Sequence, residues 1–189
     1  MSGGCRRRRV TLALSILAMS IAGVVTAAPA PGGLTGVFLL YEKGPEAIPN
    51  GSGAARLKFQ MPAEDTAGVS AGVRVRHPRT QQLEISLKSP NGEVADLTRH
   101  DTRGENLGAH ACPDGRDPEG VDFTEFSDNA SEETENGMAP YLGVFLPRQP
   151  IAPLTGSVPE GHWTLIVRDT KGGADGKLLC GLVRVPLAD

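Results

Sequence analysis

The chain has 189 residues with 24 Gly, 15 Pro and only 4% aromatics. That mixture suits many short strands joined by turns and excludes a helix bundle, and the length suffices for one domain with its own core. The formal net charge of −3 excludes phosphate-backbone binding through bulk charge, so no nucleic-acid partner is expected.

Residues 1–28 read as a signal peptide. Arg6 to Arg9 form a positive n-region, and an apolar run follows from Val10 to Val25. Small residues at Thr26, Ala27, Ala28 and Ala30 supply a peptidase exit. The alternative is a single membrane anchor, since the run is near the lower length limit for a span. Twin arginines leave Sec and Tat export both open, and no Cys follows the run at a lipobox position. Cleavage removes four arginines and takes the formal charge from −3 to −7. The mature chain is expected to be secreted, extracellular or periplasmic, and free of the membrane.

Cysteine usage fits export. Cys5 leaves with the signal, and Cys112 and Cys180 remain. An oxidising compartment would join them in a disulfide, and the alternative is two free buried thiols.

Residues 29–44 read as a lead-in, with a short and peripheral strand at Val37–Tyr41. The domain proper is placed at 45–189. Ala55, Leu57 and Phe59 alternate with Arg56, Lys58 and Gln60, a half-buried strand. In the next strand Val73 and Val75 point in and Arg74 and Arg76 point out, until Pro78 ends it. Leu83, Ile85 and Leu87 alternate with polar residues up to Ser89-Pro90-Asn91-Gly92, a hairpin turn, and Val94–Leu97 is the return strand. Residues 99–120 have almost no apolar periodicity and read as one long loop. Short extended pieces follow at Val121–Phe126, Tyr141–Pro147 and Pro150–Leu154. Gly161–Asp169 and Leu178–Val185 then read as a closing hairpin around an acidic turn. The fold class is all-β: an antiparallel, jelly-roll-like β-sandwich of about eight strands.

Residues 45–187 resemble the P domain (Homo B domain), the β-sandwich that follows the catalytic domain of subtilisin/kexin-like proprotein convertases and many bacterial secreted proteases. Ile48-Pro49-Asn50 opens the resemblance, and Val73-Arg74-Val75-Arg76-His77-Pro78 is similar to the family's V-x-V-x-H strand end. Leu83 to Gly92 resembles L-x-I-x-L-x-S-P-x-G, and Gly104-Glu105-Asn106 resembles G-x-N. Phe126 to Ala130 resembles F-D-D-x-A with Ser127 at the first Asp, and Pro150 to Gly156 resembles P-L-x-x-F-x-G. Gly161 to Asp169 resembles G-x-W-x-L-x-V-x-D, and Asp175-Gly176-Lys177-Leu178 resembles D-x-G-x-L. The aromatic usual in the final strand is missing, with Gly181 near its place, and a Cys112–Cys180 bond is the expected compensation. The resemblance implies an accessory domain that docks on or stabilises a subtilisin-like serine endopeptidase or another exported protein. Only a signal and a lead-in are read before it, so no catalytic domain is expected on this chain.

No catalytic residues are assigned. There is no Gly-x-Ser-x-Gly elbow and no H-E-x-x-H pair. His100, His110, Asp101 and Cys112 share the long loop, but polar loop residues are more often solvated than zinc ligands. Calcium is the better metal expectation, because it takes six to eight oxygens from flexible acidic loops. Asp101, Glu105, Asn106 and Asp128 are the expected set, with Asp114, Asp117 and Asp122 nearby. The alternative is an acidic, solvated loop surface. Trp163 is expected in the core, with a sugar-stacking role as the alternative and a carbohydrate- or surface-binding sandwich as the matching function. Asp169 and Asp175 are expected to be turn formers whose carboxylates accept backbone N–H bonds.

Overall fold

The computed structural model describes residues 37–61, 68–109, 111–112, 122–155 and 160–186. The signal-peptide reading, the first part of the lead-in, His110, Asp114 and Asp117 lie outside those residues. Among the described residues there are nine strands: β1 (Val37–Ile48), β2 (Ala55–Met61), β3 (Ser70–Arg76), β4 (Leu83–Lys88), β5 (Val94–Arg99), β6 (Thr124–Phe126), β7 (Gly143–Phe145), β8 (Gly161–Asp169) and β9 (Gly176–Pro186). They form a five-stranded sheet, β1-β9-β3-β6-β7, and a four-stranded sheet, β2-β8-β4-β5. Pairing is antiparallel except between β6 and β7. The fold is therefore the expected all-β sandwich.

Alternation builds the core. Along β2, Ala55, Leu57, Phe59 and Met61 are buried while Arg56, Lys58 and Gln60 are exposed. Leu83, Ile85 and Leu87 of β4 and Trp163, Leu165 and Val167 of β8 complete the inner face of the four-stranded sheet. Val73 and Val75 of β3 and Val183 and Val185 of β9 oppose them from the other sheet. Period-two burial against a second sheet accounts for every one of these positions. The β4–β5 hairpin turns where expected: Gly92 has φ +91 and its N–H donates to the Ser89 carbonyl at 3.0 Å.

Three expectations are corrected. The segment assigned to the lead-in is sheet from Val37 onward, since β1 pairs along β9 from Val37↔Pro186 to Ile48↔Gly176. β8 and β9 are not a hairpin: β8 pairs with β2 and β4, whereas β9 pairs with β1 and β3. The acidic turn between them carries the chain from one sheet to the other. Arg74 lies on the outward face of its sheet but is only 3% exposed, because Phe123 and Asp122, just before β6, pack against it.

Candidate functional site

Residues from five of the family motifs, Asn50, His77, Asn106, Asp169 and Asp175 with Gly176, meet where the chain crosses between the sheets. His77 continues the inward parity of Val73 and Val75, and Asp169 continues that of Trp163, Leu165 and Val167. Both side chains are fully buried, with His77 Nε2 3.4 Å from Asp169 Oδ2. His77 Nδ1 accepts the Arg79 N–H at 3.1 Å, so the ring proton sits on Nε2 and points at the carboxylate. The other oxygen, Asp169 Oδ1, accepts the N–H groups of Lys171 at 3.0 Å and Gly172 at 3.1 Å. One carboxylate thus folds the crossing turn and ties it to the opposite sheet.

Neighbouring motifs support this pair. Asn106 Oδ1 accepts the His77 N–H at 3.0 Å, and the His77 carbonyl accepts the Asn106 N–H at 2.9 Å. Asn106 does this at φ +62, a left-handed conformation that Asn tolerates better than most residues. Asn50 Nδ2 donates to Asp175 Oδ1 at 3.0 Å, which joins the opening motif to the crossing turn. Gly176 is held small by the His77 ring, into which any added Cβ would run. Asp169 Oδ1 accepts backbone N–H groups of the crossing turn, and the pairing of Asp169 with His77 is not foreseen in the sequence. Strand parity carried the signal: two polar residues at inward positions on two strands need a partner, and here they are each other's.

A second, smaller core covers the outer face of the five-stranded sheet. Phe123, Cys180 and Leu182 are buried there, with Leu39, Tyr41, Cys112 and Leu179 packed around them. Cys112 and Cys180 are disulfide-bonded. Tyr41 meets Phe123 edge-on at 6.5 Å, and the Arg74 guanidinium lies 4.3 Å from the Phe123 ring centre. Burial pushes the Arg74 pKa down, and Asp122, 3.4 Å away, opposes that shift.

The disulfide does not stand in for the missing aromatic. A register shift between Arg74 and Val75 along β3 leaves Cys180 facing outward and Gly181 inward. A Cβ on Gly181 would come within 2.8 Å of Leu165, 3.1 Å of Phe59 and 3.3 Å of Leu57. Those side chains of the opposite sheet already fill the space.

The four residues expected to bind calcium occupy separate places. Asp101 Oδ1 accepts from Thr98 Oγ1 at 2.8 Å and from the Arg99 N–H, closing the turn after β5. Glu105 is exposed, and Asn106 holds His77 as described. Asp128 accepts the Ile151 N–H at 2.9 Å through Oδ1 and the Ala152 N–H at 2.7 Å through Oδ2. Among the described residues no group of three or more His, Cys, Asp or Glu side chains is placed to hold a metal. Asp101 does line a shallow cleft with Glu133, Glu135 and Arg148. A further loop anchor went unnoticed in the sequence. The Tyr141 hydroxyl donates to the Arg103 carbonyl at 3.0 Å and accepts the Arg103 N–H, with Tyr141 at φ +57.

Two sheets closed on one core, with a buried lock between them, make a β-sandwich module. The match of the proprotein convertase P-domain to residues 66–179 identifies which one: the chain belongs to that family, whose members are accessory rather than catalytic domains. Comparison with curated proteins gives no match. Among solved structures, the chain is similar to the Aeromonas sobria serine protease (ASP) and chaperone (ORF2) complex, at 15% identity and a TM-score of 0.48. That likeness covers 84% of this chain and 28% of that one. The serine protease of Aeromonas sobria is similar at 15% identity and a TM-score of 0.47, covering 86% of this chain and 28% of that one. The chain thus spans little more than a quarter of the length of those proteins.

Proposed function

We propose that the chain is an exported, non-catalytic P-domain module that docks on and stabilises a subtilisin-like serine endopeptidase. The carrying observation is that the family's histidine and aspartate, His77 and Asp169, are buried and bonded to each other across the sandwich. Both ring nitrogens of His77 are engaged, so it holds the fold and is not free to serve as a base. Export is supported by the Cys112–Cys180 bond, because disulfides persist in oxidising compartments. A calcium ion at the acidic loops would add to the stabilisation, and Asp128 is the residue that separates a ligand from a backbone clamp. The stacking form of the carbohydrate alternative loses its platform, since Trp163 is fully buried.

Affinity capture from the secreted fraction of the native host, with the intact chain as bait, tests the proposal. The expected result is recovery of a subtilisin-like protease whose melting temperature rises when the chain is added. Recovery of no protease, or of one whose melting temperature is unmoved, overturns it.

A further inference from the structure

The solvent face of the four-stranded sheet carries a charge opposite to that of the whole chain. Arg56 and Lys58 project from β2, Lys88 from β4 and Arg168 from β8, and all four are exposed. Strand register sets their layout. Lys58 and Lys88 are both Cα partners of Thr164, and Arg56 is a partner of Ile166. The two lysines therefore flank β8, roughly 10 Å apart across two strand spacings. Arg168 continues the β8 row beyond Thr164 and Ile166. A shallow groove runs over this face, floored by Ser86, Thr164 and Ile166 and bordered by Val94, which is 48% exposed.

The acids of this face are committed elsewhere. Glu84, the Cα partner of Arg168, faces Arg99 at 3.4 Å and His100 at 3.3 Å. Asp96 pairs with Arg99 at 2.7 Å. Among the described residues none of the four cations has a carboxylate partner. In a chain of net charge −3, these four exposed cations, set around a groove floored by Ser86, Thr164 and Ile166, form a complementary surface for a negative partner.

We propose that this face, framed by Arg56, Lys58, Lys88 and Arg168, is a docking surface for an extended acidic peptide segment of a partner protein. An extended peptide fits the layout. Its alternate side chains are spaced roughly 7 Å apart, which matches the step between successive outward residues of β8. Carboxylates at alternate positions reach the cations on both sides, while a small apolar residue meets Ile166 and Val94. This reading is independent of whether the partner is a protease.

Fluorescence anisotropy on the full folded chain, with a labelled Glu-rich octapeptide carrying one valine, tests it. The expected result is binding that weakens with added salt and falls about tenfold or more in K58E/K88E. Lys177→Glu, on the other sheet, leaves binding unchanged. All variants sit at exposed positions, and equal melting temperatures check that they fold. Peptide binding that is absent, or equal in wild type and K58E/K88E, overturns the proposal. So does dextran sulfate binding to this face when the peptide does not bind, because the ligand is then a sulfated polysaccharide. Protease capture is read in a separate experiment, so either proposal can fail without the other.

Discussion

His77 Nε2 and Asp169 Oδ2 lie 3.4 Å apart, on strands of opposite sheets, with neither side chain exposed. The pair joins the end of β3 to the crossing turn, and removing either partner leaves the other buried and unsatisfied. His77→Ala and Asp169→Ala are each expected to cost about 1–3 kcal/mol, the range for leaving a buried hydrogen-bonding group unsatisfied. The double variant should cost less than the sum of the two, because each single variant leaves one partner alone and the double variant leaves neither. Chemical denaturation of the four proteins measures this, and single costs below about 1 kcal/mol would mean that the pair is not the lock.

Gly181 faces Leu165 and Phe59 across the sandwich. Gly181→Ala is expected to destabilise by about 1–3 kcal/mol through overpacking. Phe59→Ala alone should cost about 3–5 kcal/mol. Gly181→Phe combined with Phe59→Ala moves the ring from one sheet to the other and should be more stable than Phe59→Ala. If the combination is the less stable of the two, the family aromatic and Phe59 do not share one space.

How much of this was legible in the sequence depended on distance along the chain. The strands of the four-stranded sheet were readable, because each strand carries its own alternation in Leu57–Phe59, Leu83–Leu87 and Trp163–Val167. The β4–β5 hairpin was readable because Asn91-Gly92 fixes the turn locally. Pairing partners far apart were not. Nothing local to Asp169 says that the next strand joins the other sheet, and an acidic Gly-rich turn serves a hairpin equally well. Arg74 shows the same limit. Alternation placed it outward, but its burial depends on Phe123 and Asp122, both distant in sequence.

The disulfide gives a third prediction. The Cys112–Cys180 bond closes a sequence separation of 68 residues, and the chain-entropy model assigns such a loop about 4 kcal/mol. Reduction, or Cys112→Ala with Cys180→Ala, should lower stability by up to about that amount. Loss should begin on the outer face of the five-stranded sheet, where Phe123, Leu182 and Tyr41 pack around the bond. Hydrogen exchange should therefore rise first at Ala109 and Phe123, ahead of β8. Simultaneous loss of protection in both sheets would show that the second core is not a separate cooperative unit.

Asp128 decides between two roles for the acidic loops. Its two carboxylate oxygens accept the N–H groups of Ile151 and Ala152, which fastens the loop after β6 to the segment before β8. Ile151 is fully buried, so the bond positions a core residue. In Asp128→Asn one acceptor becomes a donor facing a backbone N–H, and the expected cost is about 1–3 kcal/mol. A clamp loses this stability equally in calcium and in chelator, because no ion takes part. A calcium ligand would lose it only with the ion present, and the wild-type melting temperature would fall on chelation by the linkage of binding to folding. Thermal melts of both proteins in calcium and in chelator separate the two. From the bonds that Asp128 makes, the expected result is an equal loss in both, and a loss confined to calcium would reassign the residue as a metal ligand.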